Sequence, residues 1–189
     1  MKKSVTVYCG SSAGNSELFA AEARSLGRLL ARAGVEVITG AGSAGMMRAV
    51  ADGALDAGGT VHGVIPRFMV ENGWQYDALT AMTVTETMHE RKQLMAKLSC
   101  AAVALPGGVG TWEEFMEIVT WKQLGLFSGN VVLLNVEGYY DPFIAMFNRG
   151  VECGFLKADH AGLFSVARSA EEAVELALSE SSQTFTSKL

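Results

Sequence analysis

The chain has 189 residues, 49% hydrophobic and 19% charged, which fits one globular domain with a well-filled core. Its formal net charge of -5 argues against a general nucleic-acid or anionic-membrane surface, so positive charge that holds an anion must be concentrated locally. Cys9, Cys100 and Cys153 are odd in number and widely separated, and read as reduced core residues; no apolar run approaches membrane-spanning length and MKKSVTVYCGSS lacks a signal-peptide pattern, so a cytoplasmic location is expected.

Short β-branched or apolar runs alternate with amphipathic segments along the whole chain. A strand over 5–9 ends in Cys9-Gly10-Ser11-Ser12, where hydroxyls and N–H groups can reach a phosphate or simply form a helix-entry turn. The helix over 16–33 places Phe19, Leu26, Leu30 and Ala33 on one stripe and stops at Gly34. Next come a strand over 35–39, the loop Gly40-Ala41-Gly42-Ser43-Ala44-Gly45, a helix over 45–57 and a strand over 60–65. The loop matches the dinucleotide fingerprint GxGxxG, but that fingerprint calls for an acid at the end of the following strand, which here reads Gly63-Val64-Ile65-Pro66. A nicotinamide cofactor is therefore not expected; a close helix–sheet contact at one wall of a nucleotide pocket is.

A strand over 82–85 leads into a helix over 87–98, on which Met88, Arg91, Leu94, Met95 and Leu98 share one side and Lys92 sits at its edge. A cation within an apolar stripe needs an anionic partner. Either the Arg91 stem packs on the core while its head reaches water or a structural carboxylate, or the head faces a cleft and meets a phosphate or a catalytic carboxylate; the second reading is favoured, because an anion site lies one strand further on.

That site is PGGVGTWEE, residues 106–114, between a strand over 101–105 and a helix over 111–124. Gly107, Gly108 and Gly110 allow a tight turn, and the unpaired N–H groups of the first helical turn suit a phosphate, with the Glu114 carboxylate one turn away. Thr111 followed three residues later by Glu114 is equally a capping-box pattern. No Walker lysine follows the glycines, which argues against a P-loop NTPase. A strand over 131–135, a helix over 142–152, a strand over 163–166 and a helix over 170–178 with Ser169 as N-cap complete the series, and the tail from Ser179 reads as frayed. His62, His89 and His160 share no metal-ligand spacing, so no metal is expected; Met46, Met47, Met116 and Met146 read as core. The pattern predicts an α/β, Rossmann-like three-layer fold: a mostly parallel sheet of about seven strands flanked by helices, one domain over 1–180 and a polar tail over 181–189. All the glycine-rich loops follow strands at the carboxyl edge, where such sheets bind ligands.

Taken together, YCGSS, TGAGSAGMM, MHERKQLM, PGGVGTWEE, EIVTWKQLG and LLNVEGYYDP resemble the Lonely Guy (LOG) family, from Val7 to about Phe155. Its members are phosphoribohydrolases that release a free base from nucleoside 5'-monophosphates, including cytokinin riboside monophosphates and AMP. The paired motif, an Arg-Lys step followed by PGGxGTxxE, is present in both halves. The resemblance implies an essential arginine at Arg91 with Lys92 beside it, an essential glutamate at Glu114, and nucleotide binding by Gly108, Val109, Gly110, Thr111 and Thr120; Gly107 and Ser11 join them from the loop reading. Three positions depart from the family: Ala41 where a glycine is usual, Arg48 where GLMG has its last glycine, and Gly73 where an ungapped match puts a glutamate. Similar chains have been labelled lysine decarboxylases, a reaction that needs a pyridoxal phosphate Schiff base; Lys92 reads instead as a phosphate ligand.

The expectation is hydrolysis of a purine nucleoside 5'-monophosphate by Glu114 and Arg91, with Arg91 either orienting Glu114 or touching the nucleotide. Water is the only cosubstrate, and no cofactor, metal, nucleic acid or membrane takes part. The resemblance also implies a homodimer. The competing expectation is a non-catalytic nucleotide or cofactor carrier on the same fold.

Overall fold

A computed structural model describes residues 3–180, so the tail over 181–189 lies outside the described residues. Seven strands form one sheet: β1 (Ser4–Tyr8), β2 (Glu36–Thr39), β3 (Val61–Pro66), β4 (Ala81–Thr85), β5 (Ala101–Ala104), β6 (Asn130–Leu134) and β7 (Ser165–Ala167). Their order is β4-β3-β2-β1-β5-β6-β7 and every pair is parallel. Parallel neighbours need crossovers long enough to hold a helix, which the chain supplies as α1 (Glu17–Arg32), α2 (Gly45–Asp56), α3 (Arg67–Glu71), α4 (Met88–Leu98), α5 (Val109–Gln123), α6 (Asp141–Glu152) and α7 (Ala170–Leu178).

The strands alternate their side chains between two cores. Val5, Val7, Val37, Val103, Val132 and Leu134 meet Leu26 and Leu30 of α1, Val50 of α2 and Ala173 of α7. Tyr8, Ile38, Val64, Ala102, Val131 and Leu133 meet Met95 of α4, Phe115 and Ile118 of α5, and Phe143 of α6. Covered on both faces, β1 and β5 are wholly buried; β5 accordingly reads as an unbroken apolar run, while β1 keeps Thr6 by letting its hydroxyl donate to the Met95 carbonyl at 3.0 Å. Helix starts follow local chemistry: Ser16 caps α1, Ser169 caps α7, and Thr87 with Glu90 forms a capping box on α4.

The expected α/β layering and seven-stranded sheet are present, with every described pair parallel. Some details need correction: α3 and two 3-10 turns, Val136–Gly138 and Ala158–Gly162, are additional. The last strand begins two residues later than its apolar pattern suggests, because Leu163 and Phe164 are buried by turn packing and not by pairing. Cys9 is buried, but Cys100 and Cys153 are exposed at element ends, as are Met116 and Met146 on the outer faces of their helices.

The strand order reverses between β1 and β5. Their following helices leave toward opposite faces, so the β1–α1 and β5–α5 loops part and open a crevice at the carboxyl edge. On one side of it, α1 and α2 touch through glycines: a β-carbon on Gly27 would come 2.0 Å from the Val50 carbonyl oxygen, and one on Gly53 2.0 Å from that of Arg24. In an open helix glycine-to-alanine gains about 1 kcal/mol of propensity. Here Gly53→Ala is expected to destabilise by about 2 kcal/mol through overpacking, read as a lower denaturation midpoint in urea.

Candidate active site

Above that crevice lies a cavity of about 580 Å³. Its charged floor comes from two helices on the same face of the sheet. Arg91, on the first turns of α4, and Glu114, on α5, are 6% and 8% exposed, and Nη1 of the arginine lies 2.9 Å from Oε1 of the glutamate. The Arg91 Nε donates to the Val64 carbonyl oxygen at 3.1 Å, so the guanidinium is fixed from β3 as well. Burial raises the Glu114 carboxyl above the ordinary carboxylate range, and the Arg91 charge pulls it part of the way back.

The loop over 40–45 supplies a wall. A β-carbon on Gly40 would lie 2.1 Å from Arg91 Nη2, so only glycine lets the guanidinium lie there. Gly45 has φ +59, and a β-carbon would approach the Ser11 backbone to 2.4 Å; the N–H groups of Met46 and Met47 donate to the Gly10 carbonyl. The fingerprint glycines thus serve close packing at a pocket wall, Gly40 against Arg91, Gly42 against Met47 and Gly45 against the Ser11 backbone. Ala41 takes φ +61, a left-handed conformation in which a β-carbon is strained by about 1–2 kcal/mol, and this explains why glycine is usual there.

The β5–α5 loop forms the third side, with Gly108, Val109, Gly110 and Thr111 lining the cavity together with Ser11 and Cys9. Helix α5 starts at Val109 behind an N-cap Gly108 that has no capping side chain. The Thr111–Glu114 capping box therefore does not form: both residues already lie inside the helix, and Glu114 faces Arg91. The first-turn N–H groups have no earlier helical carbonyl to bond, which leaves them for a ligand. A β-carbon on Gly107 would lie 2.2 Å from the Thr111 hydroxyl oxygen, so the turn is as tight as the glycines suggested.

The remaining wall is apolar and was not legible beforehand. Met47, Ile65, Met69, Trp74, Met88 and Met95 line it, although Met47 had read as core. Met69 and Trp74 come from α3 and the following turn. The Ser43 N–H donates to the Trp74 carbonyl at 3.0 Å and the Tyr76 N–H to that of Ala41 at 2.8 Å, which holds this turn against the loop over 40–45. Arg48 stacks on the Tyr76 ring at 5.2 Å and pairs with Asp52, which also accepts the Tyr76 hydroxyl, so this departure braces the turn from outside. Gly73 has φ +70 at the tip of the same turn.

Two expected ligands lie elsewhere. Lys92 is buried, but its ammonium pairs with Glu113 and Glu117 and does not line the cavity; burial lowers its pKa and the two carboxylates more than reverse this, leaving it raised. An ammonium between two carboxylates is already neutralised, so the phosphate-ligand reading of Lys92 is not met in this chain. Thr120 lies on the exposed side of α5, donating to the Met116 carbonyl at 2.7 Å. No group of histidine, cysteine or carboxylate residues suited to a metal occurs among the described residues, and no helix there is long and apolar enough to cross a membrane.

A family model described as possible lysine decarboxylase matches residues 47–177. A probable cytokinin riboside 5'-monophosphate phosphoribohydrolase of rice (Oryza sativa subsp. japonica) is 44% identical over 168 residues, 89% of this chain and 75% of the relative. The chain belongs to the LOG family. A cytokinin riboside 5'-monophosphate phosphoribohydrolase of Rhodococcoides fascians is 40% identical, over 91% of this chain and 87% of its own. Among solved structures, the molybdenum cofactor carrier protein of Chlamydomonas reinhardtii superposes with a TM-score of 0.72 at 27% identity, covering 95% of this chain and 100% of that one. The decarboxylase wording fits this LOG member poorly: no lysine lines the cavity, and a raised, doubly paired Lys92 is the opposite of an imine-forming amine.

The ion pair has a testable electrostatic consequence. Because the folded Glu114 carboxyl holds its proton to higher pH than the unfolded chain does, stability falls as pH rises between the two values. Removing the guanidinium widens that window upward. Arg91→Met is therefore expected to lose about 3 kcal/mol at neutral pH, shrinking toward the ordinary carboxylate range as Glu114 takes up a proton. Thermal melts across pH check this; a pH-independent loss would deny the pair its role.

Proposed function

We propose that this LOG protein hydrolyses the N-glycosidic bond of a purine nucleoside 5'-monophosphate, a cytokinin riboside 5'-monophosphate or AMP, to free base and ribose 5-phosphate. The observation that carries the reading is a buried carboxylate, held by an arginine, within one helical turn of an unfilled row of backbone donors in one cavity. The donors of Gly108 to Thr111 hold the phosphate, with Gly107 shaping the turn and Ser11 beside it. That anchoring places the ribose over Glu114 and lets phosphate binding energy go into positioning.

Bond cleavage leaves positive charge on C1' of the ribose. The Glu114 carboxylate stabilises that charge in a low-dielectric site and orients the attacking water. The water oxygen joins C1', the glycosidic electron pair goes to the base nitrogen, and the water proton ends on that nitrogen. Arg91 orients Glu114 and partly offsets the burial that favours its protonated form. Water is the only cosubstrate, no cofactor or metal enters, and the protein acts in the cytoplasm.

A homodimer is also proposed. Val109, Trp112, Met116 and Leu124 lie exposed along one side of α5, an apolar stripe at helical spacing that a second copy would cover. Light scattering on the eluting protein reads its mass, and a monomer at micromolar concentration would oppose it.

The structural likeness to the molybdenum cofactor carrier favours a second reading, a carrier that binds without chemistry. A carrier has no use for a buried ionised glutamate beside the sugar position. Incubation with AMP and with isopentenyladenosine 5'-monophosphate, following release of base, separates the two: no base from either would leave the carrier reading.

Glu114→Gln is expected to stay folded and bind nucleotide, yet lose at least a hundredfold in kcat. In the wild type, the acid limb of kcat/KM should lie above the ordinary carboxylate range, because burial raises Glu114, with activity lost as pH falls through it. Retention of that limb in residual Glu114→Gln turnover would assign it to another group.

A further inference from the structure

The turn after β6 presents two adjacent tyrosines to the β5–α5 loop. Asn135 shapes this turn, its Nδ2 donating to Asp141 at 2.7 Å and its Oδ1 accepting the Tyr140 N–H at 2.7 Å, while Glu137 and Gly138 take positive φ of 52° and 71°. The Tyr140 hydroxyl donates to the Leu105 carbonyl at 2.6 Å, and the Tyr139 hydroxyl donates to that of Gly107 in a short hydrogen bond. Between them, the Pro106 carbonyl accepts the Gly10 N–H at 3.1 Å. Three successive carbonyls leading into the glycine turn are thus each held from outside it.

A trans peptide unit points its C=O and its N–H in opposite directions. The carbonyl of Gly107 and the N–H of Gly108 belong to one such unit; Gly107 and Tyr139 line only a neighbouring cleft, whereas Gly108 stands between that cleft and the main cavity and lines both. Gly107 and Gly108 are the pair of residues in the loop best able to flip that peptide, since neither carries a β-carbon. A hydrogen bond to the carbonyl on the cleft side keeps the N–H on the cavity side.

We propose that Tyr139 is a positioning residue that fixes the Gly107–Gly108 peptide so that the Gly108 N–H faces the 5'-phosphate. This rests on the phosphate placement proposed above. Tyr139 packs edge-on to Tyr140 at 4.7 Å and to Phe19 at 6.1 Å, so phenylalanine preserves the ring contacts and removes only the donor. Tyr140 provides an internal control. Its acceptor is the Leu105 carbonyl, whose peptide partner is the nitrogen of Pro106, which has no N–H to orient.

The experiment measures kcat/KM for a nucleoside 5'-monophosphate and its nucleoside in the wild type, Tyr139→Phe and Tyr140→Phe, with thermal melts and the Gly108 amide resonance of the ligand-free proteins. Tyr139→Phe is expected to lose about tenfold for the nucleotide only, mainly in KM, with its melt nearly unchanged and its Gly108 amide shifted. Tyr140→Phe is expected to melt lower while keeping the wild-type ratio of nucleotide to nucleoside. A large wild-type ratio that Tyr139→Phe retains would overturn the positioning role alone. A wild-type ratio near one would remove the phosphate cradle, and the role with it. Equal loss for both substrates in Tyr139→Phe would mark a general structural effect and likewise overturn the proposal.

Discussion

The structure turns on one buried ion pair, Arg91 with Glu114, brought together by two helices that follow different strands. Two opposite charges out of water are tolerable only when each is held in good geometry and its remaining hydrogen-bonding capacity is met. Part of that demand is met from within the fold: the β3 carbonyl of Val64 accepts from the guanidinium, and Gly40 yields the space a side chain would occupy. Moving any of these displaces the carboxylate from the cavity floor. A poorly hydrated carboxylate oriented by a fixed guanidinium is well suited, once ionised, to answer a positive charge that develops at the sugar.

The second constraint is on the backbone. An anion cradle made of N–H groups works only if their peptides cannot turn away, and glycines make turning easy. The loop that leaves β5 meets this conflict by having its carbonyls tied down on the opposite side, by Gly10 from β1 and by the two tyrosines after β6. The site therefore draws on strands β1, β2, β3, β5 and β6 and the loops at their carboxyl edge, and strand reversal between β1 and β5 is what leaves room among them. Its apolar wall, by contrast, is carried by a short helix and a turn, held to the loop over 40–45 by two backbone hydrogen bonds and braced by Arg48 and Tyr76.

Much of this was legible because the relevant signals are local. Short β-branched or apolar runs and period-3.6 patterning located all seven strands and six of the seven helices among the described residues, since buried parallel strands and amphipathic helices are the two clearest patterns a chain can carry. Arg91 announced itself as a charge within an apolar stripe. Lys92 did not, although it is as buried as Arg91, because its two carboxylates come from α5 and a helical wheel of α4 has no knowledge of them. Met47 looked like core for a similar reason: burial in a core and burial in a ligand cavity leave the same apolar mark.

The amino-acid sequence by itself determined the layered α/β fold, the glycine turn at residues 106–111 and the presence of an arginine and a glutamate that needed partners, because helix caps, strand runs and tight turns are decided within a few residues. Tertiary structure alone decided between readings that local spacing leaves level. Thr111 and Glu114 suit a capping box equally well on paper, but the helix begins before them, and the carboxylate meets Arg91 23 residues earlier in the chain. It likewise decided that Lys92 is neutralised, that Gly40 makes room for a guanidinium, and that Tyr139 reaches the Gly107 carbonyl. Each of these depends on where another strand delivers its loop, and strand order is set by the packing of the whole sheet.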